Sequence, residues 1–384
     1  MAKPSPLARY RRRPEPMIRA VAGPVGDTSF AMAISRQQAR DQFRNPYKQS
    51  AWIFAAVKAC ATNAAGVPLY IYRGEIDEDR RVDLRTTPDL RALYRPCPVA
   101  QTLRKLIEWT TTHYWLVGSC AWVKETGEDR RVRPGETPRE LWPLPGNAFT
   151  PIYESIARDK VVRWDLSSPA GVVSYEPHEL VWFRDIDPEN QWLGYGRVHA
   201  ALLAAGQDFA AATWNRSFFL NGAEPGGVLE VDRPLDRDQI GSYREQWEDR
   251  HQGASRAYRV AVLGGGMKYV ATGATQKDVE FRGMREQARD EVLAALGVPK
   301  ILVGVVEDYN LATASAAKAT LFNNTLVPFL RDVEDQIDIE LESWRAGQGL
   351  ISSFDLVSVP ELQQDYSEKV DTAVKLFGLG VPMN

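Results

Sequence analysis

At 384 residues, with 44% hydrophobic and 25% charged residues, the chain is long enough for two or three domains and too apolar to be disordered. No apolar run approaches the ~18 residues of a membrane span, and the basic N-terminus lacks a signal-peptide core, so the expected compartment at synthesis is the cytoplasm. Residues 1–48 hold ten Lys/Arg against three Asp/Glu while the whole chain carries −3. A basic arm therefore precedes an acidic body, and that body is not the footprint of a tight nucleic-acid binder.

Residues 1–45 contain Pro4, Pro6, Pro14, Pro16 and Pro24 with the run Arg11, Arg12 and Arg13. They read as a flexible arm, either a solvated tail or a contact to DNA or a partner. Ser50–Ala65 reads as a helix with Ser50 as N-cap and Gly66 as its stop, and Val67–Arg73 as a strand. A second helix is expected over 101–116 and a strand over Ser119–Lys124. From Glu140 to Arg184 five short β-rich runs (ELWPL, FTPIY, VVRWDL, VVSY, ELVWF) predict an antiparallel sheet region, with Trp142, Trp164 and Trp182 as core or interface residues.

After Gly194-Tyr-Gly196 the character changes. Arg197–Asn221 reads as an alanine-rich helix with an apolar stripe through Val198, Leu202, Ala205, Phe209, Ala212 and Phe219. A small β-α-β-β unit follows: strand Gly227–Val231, a helix opened by Asp236 and closed by Gly253, strands Tyr258–Leu263 and Met267–Thr272. A second helix spans about Gln276–Leu296, with Phe281, Met284, Ala288, Val292 and Ala295 as its stripe. A longer helix starts near Ala312, carries Phe322, Leu326, Phe329, Val333, Ile337, Leu341 and Trp344 along one face, and should kink at Pro328. Phe354–Val359 reads as a strand and Gln363–Phe377 as a last helix.

Between these helices lies LGVPKILVG (Leu296–Gly304). Loops normally sit in water and are polar, yet six of these nine residues offer no side-chain hydrogen bond. Either the loop is buried in a partner, or it faces something that must not stick to it, or Ile301–Val306 is an ordinary buried strand.

Catalytic signatures are absent from the sequence: it has no G-x-x-x-x-G-K-[ST], G-x-S-x-G or H-E-x-x-H, and Gly194-x-Gly196 is too short for a dinucleotide fingerprint. Cys60, Cys97 and Cys120 are too scattered for a disulfide framework or zinc site, as are His113, His178, His199 and His251; all seven read as core or surface residues. No cofactor or metal is expected.

The order of elements resembles the portal proteins of tailed bacteriophages, of the HK97-like family. The segments that carry the resemblance are SAWIFAAVKACATNAAGVPLYIYRG, LGYGRVHAALLAAGQDFAAATWNRSFFLNGAEPGGVL, LGVPKILVG and TLFNNTLVPFLRDVEDQIDIELES. Each is degenerate alone; their order and spacing make the match specific. The resemblance implies an α+β portal fold and a non-enzymatic ring, typically of twelve subunits, at a capsid vertex, through which double-stranded DNA passes during packaging and ejection. It implies a mixed α/β wing over 46–195, stem helices over 196–222 and 276–296, and a β-α-β-β clip over 223–275. It further implies a tunnel loop over 297–311, and a kinked helix with a wing-completing strand over 312–359. Residues 360–384 would begin a crown. Similar proteins continue past a G-x-x-T/N-E-x-R region that is missing here, which leaves a minimal crown or a trimmed chain as the two readings.

The implied partners are the major capsid protein, the terminase large subunit and the head-completion adaptor, in a virion assembled in the host cytoplasm. Lys300, Ile301, Leu302, Val303, Gly304, Val305, Val306, Glu307, Asp308, Tyr309 and Asn310 would line the DNA channel. Arg237, Tyr243, Trp247 and Arg250 would meet the terminase or adaptor, although Tyr243, Trp247 and Arg250 serve equally well as intersubunit contacts or as the clip's own small core. The competing readings are a DNA-processing enzyme anchored by the basic arm, and another head-neck component.

Overall fold

The computed structural model describes residues 45–363 apart from 127–130, 155–159, 169–170, 221–226, 231–235, 237–238, 243–244, 246–267, 272–280, 306–310, 345–348 and 361. Helix α1 (Ala51–Gly66) begins where Ser50 Oγ accepts from the Ile53 amide at 3.4 Å, the N-cap that the sequence announces. Its buried face is mostly small (Ala56, Cys60, Ala61, Ala64), so it can lie close against α2 (Leu103–Val117), which Thr102 caps in the same way. Strand β1 (Leu69–Arg73) connects onward with alternate residues buried.

The expected sheet region is antiparallel throughout but is two sheets, not one. β2 (Ser119–Glu125) is central in the first, between β3 (Glu140–Pro145) and β7 (Leu180–Arg184). β4 (Phe149–Tyr153), β5 (Val161–Ser168) and β6 (Gly171–Tyr175) form a separate meander. The pleat of β2 explains the split. Cys120 and Trp122 point into the main core with α1 and α2, whereas Ala121 and Val123 join a second core with Phe149, Trp164, Leu166 and Tyr175. β2 is buried on both faces because a helical layer covers one and the meander covers the other. Prolines sit on outer strands, Pro143 and Pro145 in β3 and Pro151 in β4, where a missing backbone donor costs least. Trp164 and Trp182 stack with ring centroids 4.0 Å apart inside the second core, in keeping with the core reading of these tryptophans.

The Gly194-Tyr-Gly196 motif, too short for a cofactor, has a packing role. It crosses the end of α2 so closely that a Cβ at Gly196 would lie 2.6 Å from Leu116 O, and one at Gly118 would lie 2.4 Å from the Tyr195 carbonyl carbon. Gly118 also terminates α2 at φ +84°, donating its amide to Tyr114 O at 2.9 Å. Glycine is the only residue that meets both demands at Gly118.

Helix α3 (Arg197–Leu220) then leads to β8 (Gly227–Glu230), which pairs antiparallel with β9 (Lys268–Ala271). Between these strands, residues 239–242 and 245 are helical and Ile240 donates to Asp236 O at 3.0 Å; the expected strand Tyr258–Leu263 lies outside the described residues. Helix α4 (Phe281–Ala295) returns alongside α3, and Arg285 Nε donates to Asp208 Oδ1 at 2.6 Å between them. Val292, Leu293 and Ala288 are buried, but Met284 is exposed, so the expected stripe of α4 is covered only toward its C-terminal end.

The long helix is divided. α5 (Leu311–Leu321) passes into a π turn over Phe322–Leu326 and then α6 (Val327–Ser343). The disruption expected at Pro328 thus takes the form of a widened turn immediately before it. The proline ring would press on the carbonyl four residues back; in the π turn, Val327 N–H reaches Phe322 O instead.

The last strand differs from expectation: β10 is Leu350–Phe354, not Phe354–Val359. Asp355 Oδ1 accepts from the Ser358 amide at 3.1 Å and turns the chain into a short 3-10 helix, a local side-chain bond that competes with a strand. β10 pairs antiparallel with β1, and on its other side Asp338 Oδ1 accepts from Ser352 N at 2.6 Å while Glu334 accepts from Phe354 N. Burial raises both carboxyls above the ordinary range. The expected final helix has residues 362 and 363 helical and otherwise lies outside the described residues.

Cys60, Cys97 and Cys120 are free and buried, and burial pushes their thiols up, Cys60 to about 12. They are core residues. His113, stacked on Trp109 with centroids 5.3 Å apart, is held down to about 4 by desolvation. A folded-state value below the unfolded one of ~6.5 gives stability that is complete above pH 6.5 and lost as pH falls toward 4. The exposed Asp332 and the half-buried Glu334 and Asp338 act oppositely, because their raised values favour the folded state in acid. His113→Gln is therefore expected to narrow the drop in urea midpoint between pH 7 and pH 4.5; an unchanged drop would assign the acid sensitivity elsewhere.

Candidate functional site

The apolar loop begins at a helix end built by its own residues. Gly297, at φ +69°, donates to Ala294 O at 3.1 Å, and Val298 donates to Leu293 O at 2.9 Å. This pair of bonds is the Schellman arrangement, and Leu293 and Val298, its two flanking apolar residues, are both buried in the main core. The chain then makes a 3-10 turn over Lys300–Val303 and closes it at a second left-handed glycine, Gly304, with Val305 donating to Lys300 O at 3.2 Å. Two glycine-ended turns in succession satisfy the backbone of a segment whose side chains cannot.

The base of the loop is tied to the core from two directions. Trp115 Nε1 donates to Leu296 O at 3.4 Å, and Thr325 Oγ1 donates to Gly297 O at 2.9 Å. Trp115 is itself held edge-on to Phe329 at 4.9 Å, with the Arg197 guanidinium 4.7 Å from its ring centre. Thr325 lies in the π turn, so the widened turn, the loop base and α2 meet at one place. Gly297→Val is expected to fail there, since a Cβ would lie 2.6 Å from Thr325 Oγ1 and the backbone is in a region costing non-glycine residues roughly 1–2 kcal/mol. A urea midpoint equal to that of the unsubstituted chain would contradict this geometry.

This geometry changes the reading of Ile301–Val306. The described part is not a strand: it is a half-buried turn, with Leu302 and Val303 packed against the main core and Lys300 exposed. Apolar character at Leu296 and Val298 is explained by burial in the chain's own core. Val306, Glu307, Asp308, Tyr309 and Asn310 lie outside the described residues, as do Arg237, Tyr243, Trp247 and Arg250 and the arm residues Arg11, Arg12 and Arg13. Thr325 and Trp115 were not singled out from the sequence. The available signal for Thr325 was a lone hydroxyl in the apolar face of a helix, three residues before a proline.

The family described as phage portal protein matches residues 51–382. The chain belongs to the phage portal protein family. A probable portal protein of Streptomyces phage phiC31 is 26% identical over 129 residues, 34% of this chain and 28% of that one. An uncharacterized protein of Rickettsia bellii (strain RML369-C) is 24% identical over 304 residues, 76% of this chain and 74% of its relative. The fold is similar to a chain in the virion of a native gene transfer agent particle (TM-score 0.62, 22% identity, covering 94% of this chain and 97% of that one). It is also similar to an HK97-family phage portal protein from Corynebacterium diphtheriae (TM-score 0.57, 15% identity, covering 82% and 96%). The α+β portal fold expected from the order of elements is the one observed.

For this portal family member, the helix pair α3–α4 carries apolar side chains that its own fold leaves exposed. Leu203 is 78% exposed, Met284 47% and Trp214 37%. Among the described residues no group of His, Cys, Asp and Glu is arranged to hold a metal ion, and no helix is long and apolar enough to cross a membrane.

Proposed function

We propose that the chain is the repeating subunit of a portal ring at a capsid vertex, a structural conduit for double-stranded DNA. The family match over residues 51–382 carries this reading. Two similar structures are necks of gene transfer agent particles computed with C6 and C12 symmetry, which supports a ring; twelve subunits would accord with the C12 neck. In this reading residues 46–195 with β10 form the wing, α3 and α4 the stem, β8 and β9 part of the clip, and residues 297–311 the tunnel loop. The exposed Leu203 and Met284 then meet neighbouring subunits, because a helix in a closed ring has a heterologous neighbour on each side.

The acidic body suits a channel. Each phosphate neutralised by Lys or Arg releases counterions and adds affinity, and ring symmetry multiplies every lumenal cation. A sliding duplex requires the reverse. The clip would dock the terminase large subunit and later the adaptor, the wing would meet the major capsid protein, and assembly would take place in the host cytoplasm. Negative-stain imaging of the purified full chain tests the reading. Rings with a central opening are expected; a strictly monomeric particle at high concentration would refute it.

A further inference from the structure

A crevice of about 530 Å³ opens between the meander sheet and α6, and Tyr114 in its lining packs on Phe329 and Trp115 at the loop's base. Trp164, Trp182 and Trp192 line it, together with Tyr114 of α2 and with Asp332 and Gln336 of α6. The charged groups around it are mostly engaged. Lys160 pairs with Glu154 at 3.0 Å, Arg184 lies 5.1 Å over the Trp192 ring, and Glu340 is held by Lys124. Asp332 is the exception: among the described residues it makes no hydrogen bond or ion pair. Burial, with Asp185 and Asp335 nearby, raises its carboxyl against the opposing pull of Arg197, which compensates it only in part. An aromatic wall thus faces a carboxylate that a further cation would neutralise.

The sequence contains a segment of matching chemistry. Residues 3–19, KPSPLARYRRRPEPMIR, hold four prolines and six Lys/Arg against one Glu. Proline-rich chain lies down in extended polyproline form at low entropic cost and docks in aromatic-lined grooves; arginine adds stacking on indole faces and pairing with carboxylates. Residues 20–44 can span roughly 80–90 Å when extended. A compact chain of this length has a radius of gyration of about 21 Å, so the segment reaches the crevice of its own or an adjacent subunit.

We propose that the proline- and arginine-rich segment of residues 3–19 docks in the crevice between Trp192 and Asp332, placing the basic arm on the wing surface instead of on DNA. This docking does not depend on the ring reading. The test uses the full chain with Tyr10→p-benzoylphenylalanine, irradiated alone and with duplex DNA, and maps cross-links by mass spectrometry. Cross-links confined to residues 114, 160–164, 177–192 and 328–340, within a chain or between chains, are expected in both conditions. Asp332→Arg is expected to lower their yield about tenfold or more, and Asp332→Asn, which keeps the side-chain shape, by a smaller factor. Cross-links scattered over the surface, cross-links to DNA in place of protein, or a yield indifferent to both Asp332 variants would overturn the proposal.

Discussion

Glu340→Ala is expected to destabilise the folded chain by about 3–5 kcal/mol, the usual result of removing one partner from a buried ion pair. Lys124 of β2 and Glu340 of α6 meet in the interior, with side chains only 4% and 11% exposed. Glu340 Oε1 also accepts from Trp344 Nε1 at 2.7 Å and Ser343 Oγ at 3.2 Å. Removing the carboxylate leaves an ammonium without its counter-charge and an indole N–H without its acceptor. The opposite result is expected of the double substitution Lys124→Met with Glu340→Leu, which replaces the pair by apolar volume and should be near neutral or stabilising. Urea denaturation at one fixed protein concentration measures both, since assembly would otherwise shift the midpoints. A single variant within about 0.5 kcal/mol of the unsubstituted chain, the range of ordinary surface effects, would mean that water reaches this pair.

Val305→Lys is expected to leave the subunit folded and ring assembly intact while impairing DNA packaging or retention. The structure refines where such a test belongs. Leu302 and Val303 pack on the core, so lysine there would disturb the subunit itself, whereas Val305 follows the second capping glycine, beyond those contacts. A ring repeats the new cation once per subunit. If six to ten of them reached phosphates, affinity for DNA would change roughly 10³–10⁵-fold between 200 and 50 mM salt. Packaging assays across that salt range should show a defect that eases as salt rises. Packaging equal to that of the unsubstituted chain at all salts would remove residue 305 from the channel wall.

The loop illustrates how much of the candidate site was legible. Its glycines, its apolar residues and its position between two helices could be read directly. The expectation of a partner-buried or DNA-facing surface was too simple, because part of the apolar character serves the subunit's own core. Thr325 and Trp115, which hold the loop's base, were not legible: they lie 28 and 181 residues from their acceptors. The strand runs between Glu140 and Arg184 were each found, yet their division into two sheets was not, because β-rich composition does not state which edge pairs with which. Asp355 shows a local failure, where one capping carboxylate outweighed the β-forming residues around it.

The sequence by itself determined the cap at Ser50, the order of the helices and the apolar segment that joins them. Those features depend on a few adjacent residues, whose backbone preferences and hydrogen bonds act over one turn. Only the tertiary structure decided that β2 lies between β3 and β7, that a π turn precedes Pro328, and that Lys124 and Glu340, 216 residues apart, share one buried site. Such pairings follow from which surfaces exclude water together, and burial of that kind belongs to the assembled layers and not to any stretch of chain.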